Sequence, residues 1–109
     1  LASPRGERIA ADFTLIPEEF IVHQNYPNPF NPVTTIRYDL PEQSAVKLVI
    51  YDITGRAVRT LVDEAQEPGY KTVIWNSRNN EGISVGAGLY IYRIEAGKYQ
   101  RSRKMILLK

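Results

Sequence analysis

From Val33 onward, apolar and polar residues alternate with a period of two. In TTIRYDLP, Ile36, Tyr38 and Leu40 fall on one face and Thr35, Arg37 and Asp39 on the other, and Pro41 ends the run. AVKLVIYD repeats the pattern with Val46, Leu48 and Ile50, after which Thr54-Gly55 offers a turn. Val58 to Val62 predicts a weaker strand, broken by Pro68-Gly69, and Lys71 to Trp75 a further one carrying β-branched Thr72, Val73 and Ile74. NSRNNEG (Asn76 to Gly82) is a polar loop. Gly86 and Gly88 bracket the entry to LYIYRIEA, where Tyr90, Tyr92 and Ile94 alternate with Leu89, Ile91 and Arg93, and Ala96-Gly97-Lys98 turns the chain into Tyr99 to Leu108.

Before this region the pattern is different. Residues 1–17 mix Pro4, Gly6, Pro17 and alternating charges without a sustained period and read as a flexible linker, leaving residues 18–109 as the folded domain. Phe20, Ile21 and Val22 predict a short strand. Asn25 to Pro32 then places Pro27, Pro29 and Pro32 close together, which excludes a helix or a central strand and predicts a stiff crossing with few ladder bonds.

About seven short strands, with turn signals roughly every 8 to 12 residues and no helical period, predict an all-β fold. The expected architecture is an antiparallel sandwich of immunoglobulin-like type. Its core should contain Ile36, Tyr38, Leu48, Ile50 and Trp75, the last as a plug between the sheets. A length of 109 residues with 43% hydrophobic and 24% charged residues suits one such core.

Composition removes several chemistries. With no Cys there is no disulfide framework, thiol nucleophile or cysteine-based metal site, and a single His excludes a histidine cage. His23 has no serine or carboxylate at motif spacing, and Glu18-Glu19 and Asp63-Glu64 are adjacent pairs that read as solvating charge. Asn76, Asn79, Asn80 and Glu81 gather oxygens in one loop, but calcium favours several carboxylates and only Glu81 is charged. No catalytic residue, cofactor or metal is therefore expected. The apolar runs are too short to span a bilayer, and residues 1–17 lack the apolar stretch of an export signal. The net charge is +2, and Lys98, Arg101, Arg103, Lys104 and Lys109 face no acidic residue after Glu95. This cluster reads as protection of an edge strand, with no nucleic-acid partner expected.

The blocks QNYPNPFNPVTTIRYDLP, VKLVIYDITGRAVRTL, PGYKTVIWNSRNNEGISVGAGLYIYRI and KMILLK together resemble the C-terminal sorting domain of type IX secretion cargo, a family similar in turn to the immunoglobulin-like domain of the flagellar hook-cap protein. The resemblance covers about Phe20 to Lys109. It implies a non-catalytic address label on a larger secreted or cell-surface protein, exported through the periplasm. Its implied partners are the upstream cargo domain, the outer-membrane secretion machinery and a peptidase that removes the label in the linker before Phe20. By position, Gly88, Tyr90, Lys104, Met105, Ile106, Leu107, Leu108 and Lys109 match the part of the family associated with recognition. One departure stands in the loop after Trp75, where Asn76, Asn79 and Asn80 replace the Asp that relatives often carry.

The residues themselves add a mechanism, since a final strand pairing along one side leaves its other side open to an added strand from a receptor. Two other readings are a structural accessory module of an extracellular enzyme and a carbohydrate binder using Trp75 and exposed tyrosines. Self-assembly through the N-terminal arm is a further option, although a monomer is the expected state.

Overall fold

The computed structural model describes residues 16–109, so most of the expected linker lies outside the described residues; its last residue, Pro17, is buried. Seven strands follow in the described residues: β1 (Ile21–Val22), β2 (Thr34–Leu40), β3 (Ser44–Asp52), β4 (Ala57–Gln66), β5 (Gly69–Trp75), β6 (Gly88–Ala96) and β7 (Tyr99–Leu107). They form two antiparallel sheets, β1-β2-β5 and β4-β3-β6-β7. This is the all-β sandwich that the period of two predicts. The chain crosses between sheets at Pro41 and again at Pro68, where proline ends the ladder that precedes it.

The alternating apolar faces meet in a single core. Ile36, Leu48, Ile50, Trp75, Tyr92 and Met105 are fully buried, and Tyr38 is 1% exposed. Trp75 packs edge-on to Tyr90, ring centroids 5.3 Å apart, and lies 5.9 Å from Phe30. Its indole N–H donates to the Arg78 carbonyl at 2.9 Å, so the one polar atom of the ring is satisfied. This burial removes Trp75 as a sugar-stacking platform.

Two elements depart from the sequence expectation. The weak strand expected over Val58 to Val62 is β4, extending over Ala57–Gln66. Pairing with β3 carries it past its polar stretch, with irregularities at Leu48/Val49 and Ile50/Tyr51 that re-aim the ladder. The proline-rich crossing also makes more backbone contacts than its prolines suggest. Tyr26 and Thr35 exchange two backbone bonds, 3.0 and 2.9 Å, and Phe30 bridges in parallel to Leu107.

Candidate functional site

Strand β7 is where the basic residues and the expected recognition residues converge. From Lys104 to Leu108 the side chains alternate between solvent and core. Met105 is 0% and Leu107 1% exposed, while Ile106 is 42% and Leu108 52% exposed, and Lys104 and Lys109 also face solvent. Gly88 is exposed at the start of β6, opposite Leu107, with a φ of 148° and open space where a Cβ would stand. Tyr90 is only 7% exposed, and its hydroxyl donates to the Gly86 carbonyl at 2.6 Å. The expected recognition set is thus divided. Tyr90, Met105 and Leu107 belong to the core, where a docking protein does not reach them, and Gly88, Lys104, Ile106, Leu108 and Lys109 form the outer rim.

The expected open edge of β7 also needs correction, because the proline-rich crossing occupies much of it. The Phe30 N–H donates to the Ile106 carbonyl at 3.0 Å, and the Leu108 N–H to the Phe30 carbonyl at 2.9 Å. The Ile106 N–H donates to Asn28 Oδ1 at 2.9 Å, and Gln24 Nε2 to the Lys104 carbonyl at 2.8 Å. Phe30, 2% exposed, anchors the crossing in the core. Sequence reasoning missed this cover because proline forbids a regular ladder, but Phe30 and Leu108 keep their own N–H groups, and the Asn and Gln amides supply the rest.

A polar node holds the crossing down. Asn25 is 2% exposed: its N–H donates to the Tyr92 hydroxyl at 2.8 Å and its Nδ2 to Thr34 Oγ1 at 2.9 Å. The Tyr92 hydroxyl donates to the His23 carbonyl at 2.6 Å, and Thr34 Oγ1 to the Pro27 carbonyl at 2.8 Å. Burial pushes the Tyr92 hydroxyl up to about 12, against smaller lowering effects from the Asn25 backbone and Arg103. Burial likewise raises Tyr38 and Tyr90. A raised tyrosine stabilises the fold fully below its unfolded value of 10.0, and this contribution is lost as pH rises through the folded value. Stability should therefore fall between about pH 10 and about pH 12. Tyr92→Phe leaves the buried Asn25 N–H and the His23 carbonyl without partners and should cost about 1–3 kcal/mol. Urea melts at pH 7 and pH 11 check both points: the variant should be the less stable at pH 7 and should lose less on going to pH 11.

Charge on the β7 rim is one-sided. Among the described residues His23 Nε2 lies 3.1 Å from Asp39 Oδ1, and Arg93 pairs with Glu95 at 3.2 Å. Asp39 is the partner for His23 that sequence spacing did not reveal, brought close by the pairing of β1 with β2. Lys98, Arg101, Arg103 and Lys104 stand outside these pairs. Arg101 lies 5.6 Å over the Tyr99 ring, Arg103 Nε donates to the Val22 carbonyl at 2.8 Å, and Lys109 Nζ donates to Ser84 Oγ at 3.0 Å.

In the loop after Trp75, the Asn79 and Asn80 amides bond the backbone. Asn79 Oδ1 accepts from the N–H groups of Glu81 and Ile83, 3.0 and 2.9 Å, and Asn80 Oδ1 from Thr60 N–H at 3.0 Å. At the turn between β3 and β4, Asp52 accepts from Thr54 Oγ1 at 2.6 Å. That hydrogen bond, with one from the Arg56 backbone, holds the Asp52 carboxyl below its usual range.

The family model described as FlgD Ig-like domain matches residues 31–100, ending inside β7. A search of curated proteins gives no significant match. Among solved structures, dimeric latent PorU from Porphyromonas gingivalis is similar with a TM-score of 0.65 and 23% identity, over 84% of this chain and 10% of that one. PorZ, a surface component of the type-IX secretion system of the same organism, has a TM-score of 0.54 and 24% identity, over 84% of this chain and 12% of that one. The alkylpurine DNA glycosylase AlkC of Pseudomonas fluorescens has a TM-score of 0.52 and 14% identity, over 84% of this chain and 31% of that one. The chain therefore spans about a tenth of the first two proteins and a third of the last. At these identities the structural likenesses establish the fold.

Proposed function

This chain belongs to the FlgD Ig-like domain family, and from that premise we propose that it is a non-catalytic sorting domain, directing a larger cargo protein through type IX secretion to the cell surface or beyond. Its sequence blocks resemble the sorting domains of such cargo, and its fold is similar to parts of PorU and PorZ. The observation that carries the reading is the composite rim of β7. Two buried side chains, Met105 and Leu107, anchor the strand, while Lys104, Ile106, Leu108 and Lys109 point outward beside a crossing that fixes the backbone from the other side. Such a rim is a rigid, basic and partly apolar surface for a component of the outer-membrane secretion machinery. With much of the backbone edge already bonded, recognition falls on the exposed side chains more than on an added strand.

The test changes the outward side chains and leaves the anchors intact. A reporter fused to the Lys104→Glu, Ile106→Asp double variant should lose at least about 90% of its surface display in a bacterium carrying type IX machinery, provided circular dichroism still reports a folded sandwich. This is the scale of losing about 1.4 kcal/mol or more of docking energy. Full display of the folded variant would overturn the reading and favour a structural accessory module, which tolerates changes on the rim.

A further inference from the structure

The three-stranded sheet ends in an edge that nothing described covers. The His23 N–H donates to the Arg37 carbonyl at 2.8 Å, and Thr35 exchanges bonds with Tyr26, so Thr35 and Arg37 turn their backbone groups toward the β1 side. Thr34, Ile36 and Tyr38 then turn theirs toward β5, where they meet Trp75, Val73 and Lys71. By the same alternation Tyr70, Thr72 and Ile74 aim their N–H and C=O groups outward, away from the sheet.

The other edges are protected. The β7 edge carries Gln24, Asn28 and Phe30, and is flanked by Arg101, Arg103 and Lys104. β4 is irregularly paired and bears Arg59, Asp63 and Glu64, while β1 has only two residues. β5 has no proline or irregularity, and its one charge is the half-buried Lys71. Tyr70 is 58% and Ile74 62% exposed, an aromatic and a β-branched side chain left in water.

The sequence of this edge is complementary to itself. With a two-fold axis at Thr72, an antiparallel second copy sets Tyr70 opposite Ile74 on both sides of the axis, threonine opposite threonine, and Lys71 opposite Val73. No like charges face each other, and aromatic against β-branched pairs are among the favourable cross-strand combinations. The outward groups of Tyr70, Thr72 and Ile74 all find partners in that register. We propose that β5 is a homodimer interface, joining two β1-β2-β5 sheets into one six-stranded sheet through a closed, isologous contact. A single strand edge is a small interface, so the dimer is weak and concentration-dependent.

Sedimentation equilibrium of the full chain should show the mass rising from the 12.4 kDa monomer toward twice that value between about 10 µM and about 1 mM. Thr72→Lys puts two ammonium groups on the axis and should weaken association at least about tenfold, as should Ile74→Lys; both positions are exposed, and circular dichroism verifies the fold. Because the chain has no Cys, Thr72→Cys under mild oxidation should yield a covalent dimer, and Lys47→Cys on the other sheet should not. A wild-type chain monomeric over the whole range, or a dimer that persists in folded Thr72→Lys, overturns the proposal. Association that needs residues 1–15 would also overturn it, since the arm and not β5 would then be the contact.

Discussion

Removal of Met105 to Lys109 is expected to unfold the domain, not merely to blunt its rim. The deletion takes away Met105 and Leu107, both essentially excluded from solvent, the backbone bonds between Phe30 and both Ile106 and Leu108, and the bond from the Ile106 N–H to the Asn28 side chain. Losing one such side chain costs about 2–5 kcal/mol, so two approach the whole stability of a domain this size, roughly 5–15 kcal/mol. Far-UV circular dichroism and thermal melting of the truncated protein should show a lost or strongly lowered transition. A truncated protein melting within about 5 °C of the full chain would mean that β7 contributes little to the core. The same result bears on secretion assays. Display lost on truncation is explained by unfolding alone, and only substitutions confined to Lys104, Ile106, Leu108 and Lys109 separate recognition from stability.

Trp75→Ala should be the most damaging single substitution. Its ring is 0% exposed, packs against Tyr90 and Phe30, and its indole N–H holds the Arg78 carbonyl at the start of the β5–β6 loop. Large aromatic truncations in cores cost about 3–5 kcal/mol, through the cavity as well as the lost transfer energy. The contact with Phe30 extends the damage to the crossing that covers β7. Chemical denaturation at pH 7 should therefore lower the midpoint markedly, and Trp75→Phe should recover part of the loss by refilling the cavity. A Trp75→Ala protein within about 1 kcal/mol of wild type would place the centre of the core elsewhere.

The core residues were legible because burial imposes a period on each strand. Ile36 and Tyr38 alternate with Thr35, Arg37 and Asp39, and Val46, Leu48 and Ile50 share one face of their strand, so a shift of one residue would turn them all away from the core. Trp75 stood out for its size and β-branched surroundings. The division of the β7 rim was half legible: the alternation of Met105 and Leu107 with Ile106 and Leu108 is written in the chain, but which set faces inward depends on β6 and the opposite sheet.

Other features arise from contacts between residues far apart in sequence. Asn28 and Phe30 reach β7 from 78 and about as many positions away, and the hydroxyl of Tyr92 joins His23 to Asn25 across the sandwich. Asp39 finds His23 only because β1 lies beside β2. The order of apolar and polar side chains alone determined that this chain forms short strands, two-faced sheets and one core, since local alternation decides what each strand can bury. Tertiary structure decided which edges stay open, covering β7 with the crossing and, among the described residues, leaving β5 without a partner strand on its outer side. Edge exposure depends on which strands end up as neighbours, and a one-dimensional pattern of side chains does not specify how backbone hydrogen-bonding groups at the sheet borders are shared.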